Sequence, residues 1–374
     1  MHYRRFGRTG MELSVITLGL MRYTEGGQEN ADRIVQRAVA LGINHLETAR
    51  GYGTSEELLG KALRTIDRRK VYVTTKVGPR PTYDAFMRDF ETSMQRLGLD
   101  VLDNLDIHGI NNARSLAMAT DEQGTLKAVR KLLDGGAVRH LGFSTHGRLE
   151  TVLQALETGL FESVNLHYYW FYQALAPAVA RAAELDMGVF IISPNEKGGM
   201  LFRPTARLVE LSAPWTPMAL NQRWLLSDPR VHTLSVGPAV PEELDAHART
   251  AENVGPLSPA EQAALDRWER VQREALGKDF CTQCGLCLPC PQFIDIPEIL
   301  RLRNAAVAFD MTEYGSFRYN LLDGSDDWFH GHPGDHCTEC GLCLPRCPEH
   351  LDIPRLLFDA HDLLKTATGR RLWG

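Results

Sequence analysis

The chain has 374 residues, 24% charged and 44% hydrophobic, with 32 glycines and 19 prolines, a globular composition that excludes fibrous and disordered classes. No run of about 18 apolar residues occurs, and the opening MHYRRFGRTG has no apolar stretch before a small-residue cleavage site, so neither a membrane span nor a signal peptide is expected and the protein reads as cytoplasmic. Of the formal net charge of −6, −5 falls on residues 276–374 and no basic stripe occurs, which argues against nucleic acid and anionic membrane as partners.

The leading segment HYRRFGRTGMEL reads as a hairpin turning at Arg8, Thr9 and Gly10 that plugs the bottom of the strand-rich region behind it. Eight β-rich runs then alternate with amphipathic helical patterns: residues 14–18, 43–47, 71–76, 102–108, 138–144, 163–166, 188–193 and 231–236. The helical segments include 31–41, with Ile34, Ala38 and Leu41 on one side, and 55–65, opened by Ser55 as a cap and carrying Leu58, Leu59 and Leu63. Eight β-then-α units in about 250 residues predict an α/β fold, a closed (β/α)8 TIM barrel, with a doubly wound open sheet as the alternative. Residues 259–276 form a last amphipathic helix, capped by Ser258, that packs Ala264, Leu265, Trp268 and Val271 and is ended by Gly277. The expected domains are 1–276, the barrel, and 277–374.

In such a barrel chemistry gathers at the carboxyl ends of the strands. Glu47 ends the second run with Tyr52 in the loop after it, Lys76 ends the third and His108 the fourth. One strand-end lysine or histidine is an ordinary edge residue; four titratable groups on three adjacent strands make a candidate catalytic site. An ammonium beside a tyrosine favours the phenolate, so Lys76 is expected to lower the pKa of Tyr52, with Glu47 holding Lys76 charged. His108 would hydrogen-bond a substrate carbonyl oxygen that turns negative as hydride arrives. The aromatic run 168–172 either walls a substrate pocket or packs beneath a loop.

These segments carry a resemblance. HLETARGYGTSEELLG, VYVTTK and LDIHG, with RRFGRTGMELSVITLGLM, GAVRHLGFSTH and ISPNEKGGML, resemble the aldo-keto reductase family across the whole first domain. The resemblance implies catalytic roles for Tyr52, Lys76 and His108 and a nicotinamide cofactor across the barrel mouth. Glu47 stands where the family has aspartate, so either the site accommodates the longer acid or carbonyl reduction is no longer the reaction. By position, Ser144 and Asn165 would bond the carboxamide and Gly19 and Met21 would border the nicotinamide. The Gly198-Gly199 loop would meet the pyrophosphate, with Ser193 and Gly237 completing the cofactor-facing set. The segment SVGPAVPEELDAHART lacks the basic residues that bind a 2′-phosphate, and Glu242, Glu243 and Asp245 would repel one. NAD(H) is therefore expected over NADP(H), with Arg249 as the counter-argument.

All eight cysteines lie beyond residue 280, in CTQCGLCLPCPQFIDIPEILRL and CTECGLCLPRCPEHLDIPRLLFD, a duplication with one deletion opposite Arg346. A disulfide scaffold would scatter them. The candidate ligands are Cys281, Cys284, Cys287 and Cys290, then Cys337, Cys340, Cys343 and Cys347. Three thiolates at two-residue gaps cap one face of an iron-sulfur cube and a cysteine before proline supplies the fourth, so eight suffice for two 4Fe-4S clusters. The second run matches the bacterial ferredoxin pattern and the first is one residue short; Cys290 and Cys347 are expected to cross over. Zinc is the alternative guest of four-cysteine sites. Ile296-Pro297 and Ile353-Pro354 each open a helix, which resembles the α-helical ferredoxin fold, and barrel plus tail resemble the ferredoxin-containing branch of aldo-keto reductases. Residues 314–336 show no clear pattern.

Hydride transfer moves two electrons and a cubane passes one, and no flavin signature bridges them. The expected function is an NAD(P)-dependent oxidoreductase acting on a small-molecule carbonyl or alcohol, with clusters that store electrons or exchange them with a redox protein partner. The alternatives are an ordinary reductase with structural or redox-sensing clusters, and a non-catalytic electron-transfer or assembly subunit.

Overall fold

A β-hairpin opens the chain: β1 (Tyr3–Arg5) pairs antiparallel with β2 (Glu12–Ser14), and Gly10 closes the turn at φ 71°, a left-handed conformation natural to glycine. The computed structural model describes residues 1–23, 26–322 and 328–366. Eight parallel strands follow the hairpin. They are β3 (Ile16–Gly19), β4 (His45–Glu47), β5 (Tyr72–Val77), β6 (Leu102–His108), β7 (Val138–Ser144), β8 (Ser163–Leu166), β9 (Gly188–Ile191) and β10 (Thr233–Val236). The ladder closes because β10 pairs with both β9 and β3, which makes the expected (β/α)8 barrel and not the open sheet.

The hairpin seals the amino-terminal end. Phe6, Met11 and Leu13 pack with Phe190, and Tyr72 joins them. A Cβ at Gly188 would lie 2.6 Å from the Phe6 ring, so glycine at the first position of β9 is what admits the plug. Helices clothe the outside as the apolar spacing requires: Gly27–Ala40 buries Ala31, Ile34, Val35 and Ala38, and Thr125–Asp134 buries Leu126, Ala128, Val129 and Leu132. The expected cap role of Ser55 is corrected. It is the first residue of the helix Ser55–Ala62, with Thr54 in the cap position, and its hydroxyl instead donates to the Leu20 carbonyl at 2.7 Å.

The lumen is polar where barrels of this class are ordinarily filled by branched apolar side chains. Thr17 Oγ1 lies 2.7 Å from both Thr233 Oγ1 and His45 Nδ1, and His45 Nε2 lies 2.7 Å from Thr74 Oγ1. Asn104 donates to Asp106 at 2.8 Å and to Thr74 at 3.4 Å. Burial, then the Lys76 charge, pushes His45 down to about 3, so this imidazole is neutral at physiological pH.

By contacts the chain forms two compact units, one of Met1–Tyr168, Leu175–Pro194 and Gln222–Pro256, the other of Tyr169–Ala174, Asn195–Asn221 and Leu257–Gly374. The second unit is built of helices and turns. Its helix Pro259–Leu276 starts at Ser258 in a capping box with Glu261 and buries Ala264, Leu265 and Trp268. Trp268 stacks on Phe171 at 5.2 Å and 28°, Phe171 meets Phe309 edge-on at 5.4 Å, and the indole N–H donates to Ser212 at 3.2 Å. For Phe171 the aromatic run thus serves packing. Helices Ile296–Phe309 and Ile353–Leu364 each begin with proline in the first turn after an aspartate cap, Asp295 or Asp352. Between them Thr312–Tyr319 is helical, where no pattern was expected from residue 314 onward. Among the described residues no helix is long and apolar enough to cross a membrane.

Candidate active site and cysteine centre

The ends of β4, β5 and β6 and the loop after β4 bring the four candidate catalytic side chains together. Lys76 forms an ion pair with Glu47, and both are buried. The Lys76 ammonium also donates to the Thr48 carbonyl at 3.1 Å and to the Tyr52 hydroxyl at 3.3 Å. Tyr52 meets His108 edge to face, centroids 5.8 Å apart at 86°. The loop is stitched to its strands: Arg50 N–H donates to the Lys76 carbonyl and Tyr52 N–H to the Ala49 carbonyl, both at 3.0 Å.

The longer acid is accommodated from two strands away, across β3. Ser235 on β10 donates to Glu47 Oε2 at 3.0 Å. Gly19 on β3 leaves the room for this, since a Cβ there would lie 2.4 Å from Ser235 Oγ and 3.4 Å from Glu47 Oε2. Glu47 thus reaches Lys76 while steered by a hydroxyl.

The electrostatics differ from expectation at one point. The pKa of Tyr52 is raised, not lowered, because burial penalises the phenolate and the negative charge of Asp106 opposes it further. Burial also pulls Lys76 below the ordinary lysine range, with Asp106 pulling back. Asp106 itself is pushed above the usual carboxylate range by burial, against the pull of Lys76 and the Asn104 and Asn165 amides. Asp106 was missed in the sequence. The signal lay in LDNLDIH, where Asn104 and Asp106 share the period-two face of His108, a polar face on a strand that a barrel buries.

The cofactor-facing candidates fall in both units. Gly19 and Gly237 are neighbours, a Cβ at Gly237 lying 3.5 Å from the Gly19 carbonyl oxygen. Met21 is half-buried past β3, and Ser193 follows β9 with φ 46°. Ser144 ends β7, its hydroxyl accepting from Gly109 N–H at 3.2 Å. Asn165 is enclosed within the barrel on β8, its amide turned to Asp106. Gly198 and Gly199 belong to the second unit. There Tyr314 donates to the Lys197 carbonyl, and Gly199, at φ 124°, sits where a Cβ would be 2.5 Å from the Met311 methyl. Tyr314 is held in turn by Arg301 at 3.1 Å, whose guanidinium is bidentate to Glu298 at 2.7 and 2.8 Å. After β10 the acids expected to repel a 2′-phosphate are engaged: Glu242 pairs with Arg33 at 3.3 Å, Asp245 with Arg37 at 2.6 Å, and Glu243 accepts from Ala239 N–H at 2.8 Å.

The two cysteine runs fold alike. Gln283 and Glu339 stand at φ 60° and 53°, Gly285 and Gly341 at 77° and 73°, and Phe293 and His350 at 55° and 51°, so the duplication extends to the backbone. No cysteine is in a disulfide. The Cys281 thiol lies in the field of Cys284 and Cys347, while Cys337 and Cys343 lie in the field of Cys290 and Cys340. Cys287, Cys290, Cys337, Cys340 and Cys343 line one cavity. Burial first, then the neighbouring thiols, pushes Cys281 up to about 11 and Cys287 up to about 12. A bound cation would relieve that cost by deprotonating them. Such a set of soft sulfur donors, with Cys347 beside Cys281 and Cys290 beside Cys337, fits an iron-sulfur guest.

A model described as the aldo/keto reductase family matches residues 15–194, and one described as a 4Fe-4S dicluster domain matches residues 280–352. An aldo-keto reductase of Mycobacterium sp. (strain KMS) is 32% identical over 202 residues, which cover 52% of this chain and 70% of that protein. Two solved structures share the barrel fold. An aldo-keto reductase from Bacillus halodurans in its holo form has a TM-score of 0.62 at 21% identity, covering 71% of this chain and 96% of that one. One from Klebsiella pneumoniae in complex with NADPH has a TM-score of 0.59 at 24% identity, covering 71% and 94%.

Proposed function

Because the chain belongs to the aldo-keto reductase family and carries a C-terminal 4Fe-4S dicluster domain, we propose that it moves a hydride between a nicotinamide dinucleotide and a small carbonyl or alcohol. The observation that carries this reading is the Lys76 ammonium held between the Glu47 carboxylate and the Tyr52 hydroxyl, with His108 edge-on to the same phenol. In the reduction direction Tyr52 gives its proton to the substrate oxygen. Its raised pKa suits that role, because the phenol keeps its proton until the oxygen becomes a stronger base. His108 hydrogen-bonds the same oxygen, and Lys76, fixed by Glu47, stabilises the phenolate left behind.

A bound dinucleotide supplies the hydride, and bound clusters store or pass single electrons. Gly19, Met21, Ser144, Asn165, Ser193, Gly198, Gly199 and Gly237 are the candidates for holding the dinucleotide. With Glu242 and Asp245 already paired, any preference for NAD(H) over NADP(H) is small. The eight cysteines would hold two 4Fe-4S clusters, Cys290 and Cys347 each serving the other run's cluster; the dicluster match favours iron-sulfur over zinc. The functional division runs 1–276 and 277–374, in a cytoplasmic protein that exchanges electrons with a redox protein. The test is anaerobic titration of the iron-loaded protein with NADH and NADPH. Dinucleotide binding, aldehyde turnover and bleaching of the cluster absorbance are expected. Turnover with clusters that stay oxidised would confine them to a structural or sensing role, and no binding of either dinucleotide would sink the proposed reaction.

A further inference from the structure

Asp106 is 2% exposed and has no part in the hydride-transfer reaction itself. It stands on β6 directly opposite Lys76 of β5 in the parallel ladder, and opposite Gly142 of β7 on the other side. Space is kept for its carboxylate: a Cβ at Gly142 would lie 2.3 Å from Asp106 Oδ1 and 2.2 Å from Ser163 Oγ. Asn104 donates to that oxygen at 2.8 Å and is anchored in turn through Thr74 to His45, Thr17 and Thr233. A hydrogen-bonded chain running down the lumen thus ends on this acid, and Lys76 has a carboxylate on either side, Glu47 from β4 and Asp106 from β6.

The titratable groups facing the pair are Glu47 and neutral His45 of β4, Tyr52 of the following loop and His108 of β6. Lower on β7, His140 is bonded to Glu162 at 3.1 Å. The other strands offer only neutral partners there: Thr17 on β3, Asn165 on β8, Ser235 on β10, and no titratable residue on β9. Negative charge beside an ammonium and a phenol, away from water, raises the cost of removing a proton from either.

We propose that Asp106 is a positioning residue that keeps both protons of the Tyr52–Lys76 pair in place until the substrate oxygen takes one. This rests on the carbonyl reduction proposed for the barrel site. The Tyr52 O–H bond breaks as an O–H bond forms on the substrate. The phenolate recovers a proton from the Lys76 ammonium, and Lys76 regains its proton from water once product leaves. Asp106 bonds no substrate and loses no atom in the cycle.

The test follows NADPH-dependent reduction of 4-nitrobenzaldehyde against pH in the iron-loaded full chain. Asp106→Asn is expected to move the alkaline limb of kcat/KM to lower pH by about one unit, a loss of about tenfold above the limb. NADPH affinity, read by fluorescence, stays as in the parent. Gly142→Ala, which displaces the carboxylate without removing it, should move the limb in the same direction. Melting temperature gives a readout independent of turnover. In the folded state Asp106 keeps its proton at pH values where the unfolded chain has lost it, so its contribution to stability falls as pH rises from the carboxylate range toward neutrality. The parent's melting temperature relative to Asp106→Asn should fall over that window. A limb that stays put in both variants of an active parent overturns the role of Asp106, as does a melting difference that ignores pH. A parent that reduces no aldehyde, with the pH-dependent melting difference intact, overturns the proposed reaction and leaves the charge coupling standing.

Discussion

The barrel unit encloses its charged groups, whereas the cysteine unit spreads its thiols from buried to exposed positions. Inside the barrel, Glu47, Lys76 and Asp106 are almost fully buried, and the lumen around them is lined with hydroxyls, amides and one neutral imidazole. In the second unit Ile299, Leu302, Phe309, Leu356 and Leu364 are buried together with the Arg301 guanidinium, while Cys281, Cys287 and Cys347 are buried and Cys284 and Cys340 are exposed. The first site has its charges paired and oriented by neighbouring strands before anything binds. In the second, burial and then neighbouring thiols raise the pKa of Cys281, Cys287, Cys337 and Cys343, a cost that a bound metal would relieve. One is an electrostatic environment built by strands, the other a pair of turns built around thiols.

That contrast can be broken in four ways, beginning with the largest expected effect. Removing iron should open residues 281–290 and 337–347 to amide exchange while β3 to β10 keep their protection; structural metals contribute on the order of 10 kcal/mol to the segments they organise. Barrel amides opening in step would show that the two sites do not differ in this respect. Within this experiment Cys340→Ser is a finer probe, expected to lower iron content by about half, and unchanged iron would mean the ligand set is wrong. Next, Tyr52→Phe should slow carbonyl reduction by about 10²- to 10⁴-fold with dinucleotide affinity unchanged, as measured by steady-state rates and fluorescence titration. Equal rates would remove the barrel site from the chemistry. Trp268→Ala should cost about 3–5 kcal/mol in denaturant unfolding of the second unit, since the ring is fully buried against Phe171. A smaller loss would mean that this unit does not depend on its apolar interior. The smallest effect belongs to Glu242→Gln with Asp245→Asn, expected to improve NADPH affinity relative to NADH by about 0.3–1 kcal/mol at low salt and less at high salt. An equal change for both dinucleotides would place these acids away from the 2′-phosphate.

The two sites were also unequally legible. The grouping of the cysteines could be read from chain spacing alone, because thiols two residues apart on a turn are neighbours whatever the rest of the fold does. The strands and the positions of Tyr52, Lys76 and His108 were readable because apolar runs end where the barrel mouth begins. Burial was not. Nothing local to Tyr52 says that desolvation and Asp106 outweigh the adjacent ammonium, and nothing in Ser235 says that it steers an acid 188 residues away. Asp106 sits in a strand whose polar alternation is the usual mark of a solvent-facing side, and only closure of the barrel turns that side inward. Likewise Glu242 and Asp245 were read as free charges, while their arginine partners lie on the helix Gly27–Ala40, about two hundred residues earlier.

The composite make-up of the second unit bears on where the chain can be cut. Tyr169–Ala174, Asn195–Asn221 and Leu257–Gly374 share one packed interior, in which Thr205 donates to the Phe309 carbonyl at 2.7 Å and Tyr314 to that of Lys197. A gene cut after codon 276 would leave Trp170, Phe171, Gly199 and Trp268 without Phe309, Met311 and Tyr314. The second unit is therefore encoded in three separated stretches of the chain, and a truncation at that point removes the packing partners of the two earlier ones.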